Sequence, residues 1–438
     1  MRIARFIFPI LLTIVSCDTE RSFNVPEENY FVKYYGEEGE QTGVDFVVNP
    51  DGTIVMVGNT ERPGVLSQIY VVKVDANGHE LWNRKFGLPD KKDWVKDVEL
   101  HPDGRIVIVG ETEMEVGNKD VYIRTISQDG VPLDSARHGL KKGSIETDEE
   151  VNSVSIINGG AGFSAGFIVT GSTTNVVTAD ARDLHDALFL RFDGGLVRIK
   201  ESGPDPISIW GPPSYGYNSD DIAYKSVEVD ASTIYVFGYS NRITGSYNGD
   251  YNFWYFALSG NATPKLNENY IGKASENEQL TSVEIANSNL GIRYILSGTA
   301  ASSGTVQSYV VGLSSQLSFD TPDIRLENNS TVLAATPNDL LKVKVIGSIN
   351  GSFLSISSDS RIGNQGFNIA LTRLNGNAIR QSEPLIFGGE GDDFAGSVAE
   401  LPNGRILLMG TMTIGQSSTA GQKKMVLLKL NSEGKLAE

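Results

Sequence analysis

Carboxylates recur along this chain at intervals that could bring them together. They fall at Glu37, Glu38 and Glu40, at Asp93, at Asp148, Glu149 and Glu150, and at Asp220 and Asp221. They return at Glu276 and Glu278, at Asp339, and at Asp392 and Asp393. Carboxylates converging on one mouth repel one another and favour a shared cation, with calcium the candidate. They could also hide a general acid and base. The local alternative is that each caps turn N–H groups of its own segment, and this capping reading is the preferred one. No other cofactor is expected.

Other chemistry-bearing residues are sparse. Gly162-Phe163-Ser164-Ala165-Gly166 matches G-x-S-x-G, but a serine nucleophile needs a strand-to-helix elbow with a His and an acid nearby. Here the motif lies in a Gly-rich hairpin turn, so a hydrolase of that kind is not expected. The four histidines are His79, His101, His138 and His185, and none forms an H-E-x-x-H pair. His185-Asp186 sits beside a strand and reads as a surface pair.

Cys17 is the only cysteine. A lone Cys in an exported chain needs a reason, because such chains usually pair their thiols. It follows Arg2 and Arg5, then an apolar run from Phe6 to Val15 interrupted by Pro9. That run is too short for a span of ~20 residues and reads as a secretory signal over residues 1–16. Ile14-Val15-Ser16-Cys17 resembles the lipobox of bacterial lipoproteins. The resemblance implies a diacylglycerol thioether on Cys17, cleavage before it, and residues 17–30 as a tether from the membrane. Localisation follows as the cell envelope, with the outer membrane as the expected site. The net charge of −17 argues against nucleic acid as a partner and against adhesion of the bare surface to anionic lipid.

The elements that position these residues are repeats. Val44–Thr60, Val95–Thr112 and Ala395–Thr411 each contain a strand, a Pro-Asp-Gly or Pro-Asn-Gly turn, an apolar strand, then Gly. Asp-Gly and Asn-Gly supply the positive φ that a tight hairpin needs. Weaker copies place seven anchors at Gly58, Gly110, Gly171, Gly238, Gly298, Ser357 and Gly410. Ser357 is the one departure from Gly. A second hairpin follows each anchor, and its last strand ends in Phe-Gly or a similar pair. Four strands in about 50–65 residues is the period of a propeller blade.

The prediction is an all-β fold: residues 31–438 form one β-propeller of about seven four-stranded blades. The last repeat lacks a fourth strand, and Phe31–Gly36 is a fourth strand without a repeat. The N-terminal strand should therefore complete the last blade and close the ring, which also hides sheet edges. The repeat resembles bacterial propeller-repeat families of the seven-bladed and delta-60 kind. Trp82, Trp94, Trp210 and Trp254 do not share one blade position, unlike the Trp-bearing repeats of quinone-dependent dehydrogenases and assembly-factor lipoproteins.

Fold alone leaves the activity open. The expectation is a non-enzymatic binding or scaffold lipoprotein, with a protein or glycan as its partner. The alternative is a glycan-active or other envelope enzyme with a carboxylate site in the propeller channel. The anchor is testable directly. Cys17→Ala should abolish metabolic labelling with a clickable fatty acid and leave the protein soluble or uncut. Undiminished labelling of the variant would refute the lipid on Cys17.

Overall fold

The computed structural model describes residues 30–88, 90–142, 145–159, 165–174, 184–199, 219–230, 232–244, 247–259, 264–286, 292–302, 305–314, 324–325, 343–360, 366–375, 380–415 and 421–436. Cys17, Ser164 and Asp339 lie outside them, as do the expected signal and nearly all of the expected tether.

Seven antiparallel sheets form the blades of a β-propeller, six of them with four strands. In the third blade, strands Glu149–Ile157, Gly166–Thr174 and His185–Asp193 are followed by the Phe192–Arg198 bridge. There the Ile199 N–H donates to Arg191 O (2.8 Å), starting the fourth edge. The first strand of each blade is innermost, and neighbouring inner strands touch around the axis.

Alternation builds the core. In Ile54–Arg62, Val55 and Val57 pack toward the second blade, while Ile54 and Met56 pack toward the seventh. Central strands buried on both faces read as nearly continuous apolar runs. The same division recurs, and seven apolar clusters fill the seven junctions. Closure is as expected. Phe31–Tyr35 pairs antiparallel with the last strand, with Phe31 opposite Lys429 and Tyr35 opposite Met425. Phe31 and Tyr35 also join Met409, Met425 and Leu427 in the cluster that welds the first blade to the seventh.

The anchor glycines have a steric cause. The inner strand slips register by one residue between Gly43 and Asp45, Val95 and Asp97, Val151 and Ser153, and Ala223 and Lys225. The same slip occurs between Leu280 and Ser282 and between Ala395 and Ser397. Such a bulge kinks the strand and leaves one residue outside the ladder. It also drives a carbonyl onto the neighbouring strand. A Cβ on Gly110 would collide with the Trp94 carbonyl oxygen, and one on Gly58 with that of Thr42. Ser357 is the exception that fits: it pairs with Val343, the first residue of its inner strand, and no slip occurs within Val343–Gly347.

Turns at the two ends of the barrel of blades differ. One end carries tight hairpin turns such as Asn49–Thr53, His101–Arg105 and Asn431–Lys435. The other end carries the connections between blades and between second and third strands. Thr174, His185, Ile199 and Asp221, where such connections leave or enter the strands, lie at this end. Connections on one face of a rigid scaffold are where binding and catalytic groups concentrate.

Candidate functional site

The recurrent carboxylates belong to two repeated positions at the blade junctions. The inner one, two residues before the partner of the anchor Gly, holds Gln41, Asp93, Glu149, Asp221, Glu278 and Asp393. All six are buried. Four of them reach across to the end of the preceding blade, while Asp221 accepts the hydroxyl of Ser219 two residues before it (3.1 Å). Asp93 Oδ2 accepts the Leu88 N–H (2.8 Å), and Glu149 Oε2 accepts that of Leu140 (3.1 Å). Glu278 Oε1 accepts that of Lys273 (2.9 Å), and Asp393 Oδ2 that of Gly389 (2.7 Å). The Phe-Gly ending of the outer strand follows from this, because a Cβ on Gly87 would strike the Asp93 carboxylate.

The outer position is the residue just before. Asp148 Oδ1 accepts the Lys119 N–H (2.8 Å), Asn277 Oδ1 that of Tyr251 (3.0 Å) and Asp392 Oδ1 that of Phe367 (3.0 Å). Asp220 Oδ1 accepts both the Leu184 and His185 N–H groups (2.8 and 2.7 Å). The acidic doublets are thus interblade clasps. Glu37 pairs with Lys85 at 2.6 Å at an exposed position, Glu38 is exposed, and Glu276 is half-buried. Among the described residues, no group of three or more His, Cys, Asp or Glu side chains is arranged to hold a metal ion.

The channel is also occupied. Lys225 pairs with Glu99 (3.0 Å), and Lys344 pairs with Glu284 (2.9 Å) and donates to Ser397 Oγ (3.0 Å). Burial pushes Asp97 well above the usual carboxylate range; Lys225 opposes this and Asp45 adds to it. The space left among these side chains is about 40 Å³. That is room for roughly one water and no substrate.

One stretch of that face departs from the repeat. Asp220, besides clasping two amides, accepts the Tyr251 hydroxyl on Oδ2 (2.6 Å) and lies 3.4 Å from His185 Nδ1. Burial raises Asp220, but His185, Tyr251 and the two amides outweigh it and hold the carboxyl below its ordinary range. The Asp220 carboxylate, 3.4 Å from Nδ1, raises His185 against its own burial, and the charges of Glu150 and Asp148 add to the rise. Burial, then the charges of Glu150 and Asp220, push the Tyr239 phenol up to about 12. Its ring meets that of Tyr251 edge-on at 5.6 Å.

Cations complete the array. Lys119 contacts Glu150 (3.2 Å) and Glu111 (3.7 Å), and Lys96 contacts Glu111 (3.0 Å). Burial lowers Lys119, but Glu111, Glu150 and Asp148 outweigh it and keep its ammonium charged. Glu111 occupies the polar position after the anchor Gly, where Asn59 and Ser358 stand in other blades. All three accept an inner-strand N–H of the next blade, at Val151, Val95 and Ala395 respectively. Lys96, Glu111, Lys119, Tyr239 and Tyr251 were not singled out from the sequence. Their signal is departure from the repeat: Lys96 sits at the bulge, where Val44, Asn152 and Thr281 stand elsewhere. His185, read as a surface residue, instead has its ring beside a carboxylate, with its side chain 34% exposed.

No family model matches the sequence, and no curated protein matches it significantly. Among solved structures, the chain is similar to a polysaccharide lyase, an ulvan lyase bound to -[GlcA(1-4)Rha3S]-. The TM-score is 0.54 at 8% identity, covering 92% of this chain and 97% of the lyase. An α-L-arabinanase of Penicillium chrysogenum aligns with TM-score 0.48 at 10% identity, over 80% of this chain and 95% of the other. An α-L-arabinofuranosidase of Fusarium graminearum gives 0.46 at 10% identity, over 76% and 92%. The last two scores are too low to carry an argument. The ulvan lyase, a glycan-active enzyme on this fold, runs against the expectation of a non-enzymatic scaffold. At such identities the likeness establishes the fold, and activity has to be argued from this chain's own residues.

The clasps make a pH-dependent prediction. Burial, against hydrogen bonds from Thr147, Thr173 and Leu140, raises Glu149 to about 7. A carboxyl raised on folding stabilises fully below its unfolded pKa, and that contribution is lost as pH rises through the folded value. Stability should therefore fall between about pH 5 and 8. Glu149→Gln, which copies Gln41, should flatten that fall by on the order of 1–3 kcal/mol. Denaturant melts of both proteins at pH 5 and pH 8 check it. Parallel pH slopes would contradict the clasp assignment.

Proposed function

We propose that the chain is a glycan-active enzyme whose loop face cleaves an anionic polysaccharide by proton transfer at His185. The observation that carries this is the His185–Asp220 contact at 3.4 Å on the face bearing the connections between blades. Nδ1 is turned to Asp220, so Nε2 is the nitrogen left to exchange a proton with a substrate. A carboxylate partner fixes the tautomer and orientation of an imidazole and makes it a stronger base. Tyr239 and Tyr251 supply aromatic surface beside it.

The residues favour elimination over hydrolysis. Glycoside hydrolysis needs two carboxyl groups facing the scissile bond, one to protonate the leaving oxygen and one to act on the sugar or a water. Here Asp220 accepts two amides and the Tyr251 hydroxyl, Glu111 accepts the Val151 N–H and pairs with Lys96, and Glu150 is tied to Lys119. Elimination needs a base, a cation and a proton donor. His185 takes the proton next to a uronate carboxylate, and that C–H pair becomes the new double bond. The C–O bond at the β carbon breaks, and the departing oxygen takes the proton held on the His185 imidazolium, directly or through water. Lys119 and Lys96 would exchange part of their pairing with Glu150 and Glu111 for the uronate carboxylate and stabilise the charge that develops on it. The overall likeness to an ulvan lyase supports a propeller as a workable frame for such chemistry.

The lipobox-like run before Cys17 supports a lipid anchor, and with it a place at the cell envelope. An enzyme so tethered would act on polymer reaching the membrane surface. Seven-bladed and delta-60 repeats remain the resemblance that best describes the repeat unit.

Incubation with pectate, alginate and glucuronan should release unsaturated uronates, read by ultraviolet absorbance. His185→Asn should lower kcat by about 10²–10⁴-fold. Activity should climb with pH through a limb set above the ordinary histidine value. Asp220→Asn, which keeps an oxygen for the two amides, should move that limb to lower pH. Cleavage that survives His185→Asn, or a limb unmoved in Asp220→Asn, would overturn the assignment.

A further inference from the structure

A second feature of the loop face lies one blade away. Between the first and second blades runs a cleft of about 600 Å³, lined by Glu40, Glu61, Arg62, Leu66, Lys92 and Trp94. Clefts of ~300–1,000 Å³ are the size that holds a small-molecule ligand. Its walls are of two kinds. Trp94 with Leu66, itself 40% exposed, offers apolar surface. Glu40, Glu61, Arg62 and Lys92 offer acceptors and donors around it.

Trp94 has no local reason to be there. It occupies the position just before the partner of the anchor Gly, where Thr42, Glu150, Ile222, Gln279 and Phe394 stand in other blades. The position therefore imposes no residue type. Lys92 Nζ lies 6.0 Å from its ring centre and 3.0 Å from Glu113, so one edge of the indole is already set by an ion pair.

The cleft and the candidate site share the second blade. Glu113 pairs in the ladder with both Lys92 and Lys119, and Trp94 pairs with Glu111. Glu111 in turn contacts Lys96 and Lys119. A molecule longer than one ring could reach from one to the other along the second blade.

We propose that this cleft is a subsite for a sugar ring of the polymer, stacked on Trp94 with its hydroxyls on Glu40, Glu61 and Arg62. A pyranose offers one face of C–H groups and a rim of hydroxyls, which matches an indole wall bordered by charged side chains. Aromatic side chains combine a large apolar area with specific geometry, so the wall selects a flat ring. An apolar peptide would leave those charged groups desolvated without partners. The assignment of the polymer as a uronate rests on the proposed function; the stacking does not.

The test separates the two. Calorimetric titration would use oligouronates from pectate, alginate and glucuronan against the His185→Asn protein, in which turnover is blocked. The Trp94→Ala change in that background should weaken binding at least tenfold, and Trp94→Phe should restore part of it. In the active enzyme, Trp94→Ala should raise KM for long chains. Far-ultraviolet circular dichroism and melting of each variant confirm folding. Equal binding with and without Trp94, or no binding of any oligouronate by the parent, would overturn the subsite. Trp94-dependent binding with no cleavage by the parent would overturn the proposed activity and leave the subsite standing. His185-dependent cleavage with KM unmoved by Trp94→Ala would do the reverse.

Discussion

A backbone N–H removed from water has to find an acceptor, and each blade junction of this ring removes several. Leaving one unpaired costs about as much as a lost hydrogen bond, on the order of 1–3 kcal/mol. The inner strands bulge, so their own ladders cannot satisfy every group. The polar residues of the repeat supply the missing acceptors from the neighbouring blade. Asn59 serves Val95, Glu111 serves Val151, and Thr411 serves Gly43 across the closure of the ring, at 2.8–2.9 Å. The buried Asp93 and Asp393 do the same for the ends of outer strands. Apolar packing between blades supplies the bulk of the burial, but these acceptors decide which residue types recur and where.

That arrangement explains why one face is free to vary. The tight turns at the other end, such as His101–Arg105, are self-contained hairpins. On the loop face the clasps pin only the ends of each connection, as Asp220 does for Leu184 and His185. What lies between can lengthen without loosening the ring. Asp220 shows how a structural group becomes available for chemistry. It keeps its two amides on one oxygen while the other meets Tyr251, and His185 approaches from the side. The same residue therefore holds a junction and tunes an imidazole.

The fold was legible because periodicity and turn chemistry both repeat. Asp51-Gly52, Asp103-Gly104 and Asn403-Gly404 announced hairpins, and Gly52, Gly104 and Gly404 do take positive φ. Closure was legible from Phe31–Tyr35 having no repeat of its own. The acidic doublets were legible as a pattern, but their role depends on a partner about one blade away, which no local spacing reveals. The site was hidden for a different reason. His185, Glu150, Lys119 and Tyr239 come from three blades, and each alone resembles a surface residue. Only Lys96 and Trp94, at positions where the repeat sets no rule, stood out against it, and only once the register was known. The scaffold expectation failed because sparse His and absent motifs were read as lack of chemistry.

The central claim is that the repeat's buried polar groups are interblade acceptors. Native-state hydrogen exchange at single amides tests it most directly. The Leu88, Leu140, Lys273 and Gly389 N–H groups sit in short connections that would exchange quickly if only solvent served them. Held by Asp93, Glu149, Glu278 and Asp393, they should be protected and should open together with the central strands, close to the free energy of global unfolding. Exchange of these four amides at the rate of exposed loops, while the central strands stay protected, would contradict the account.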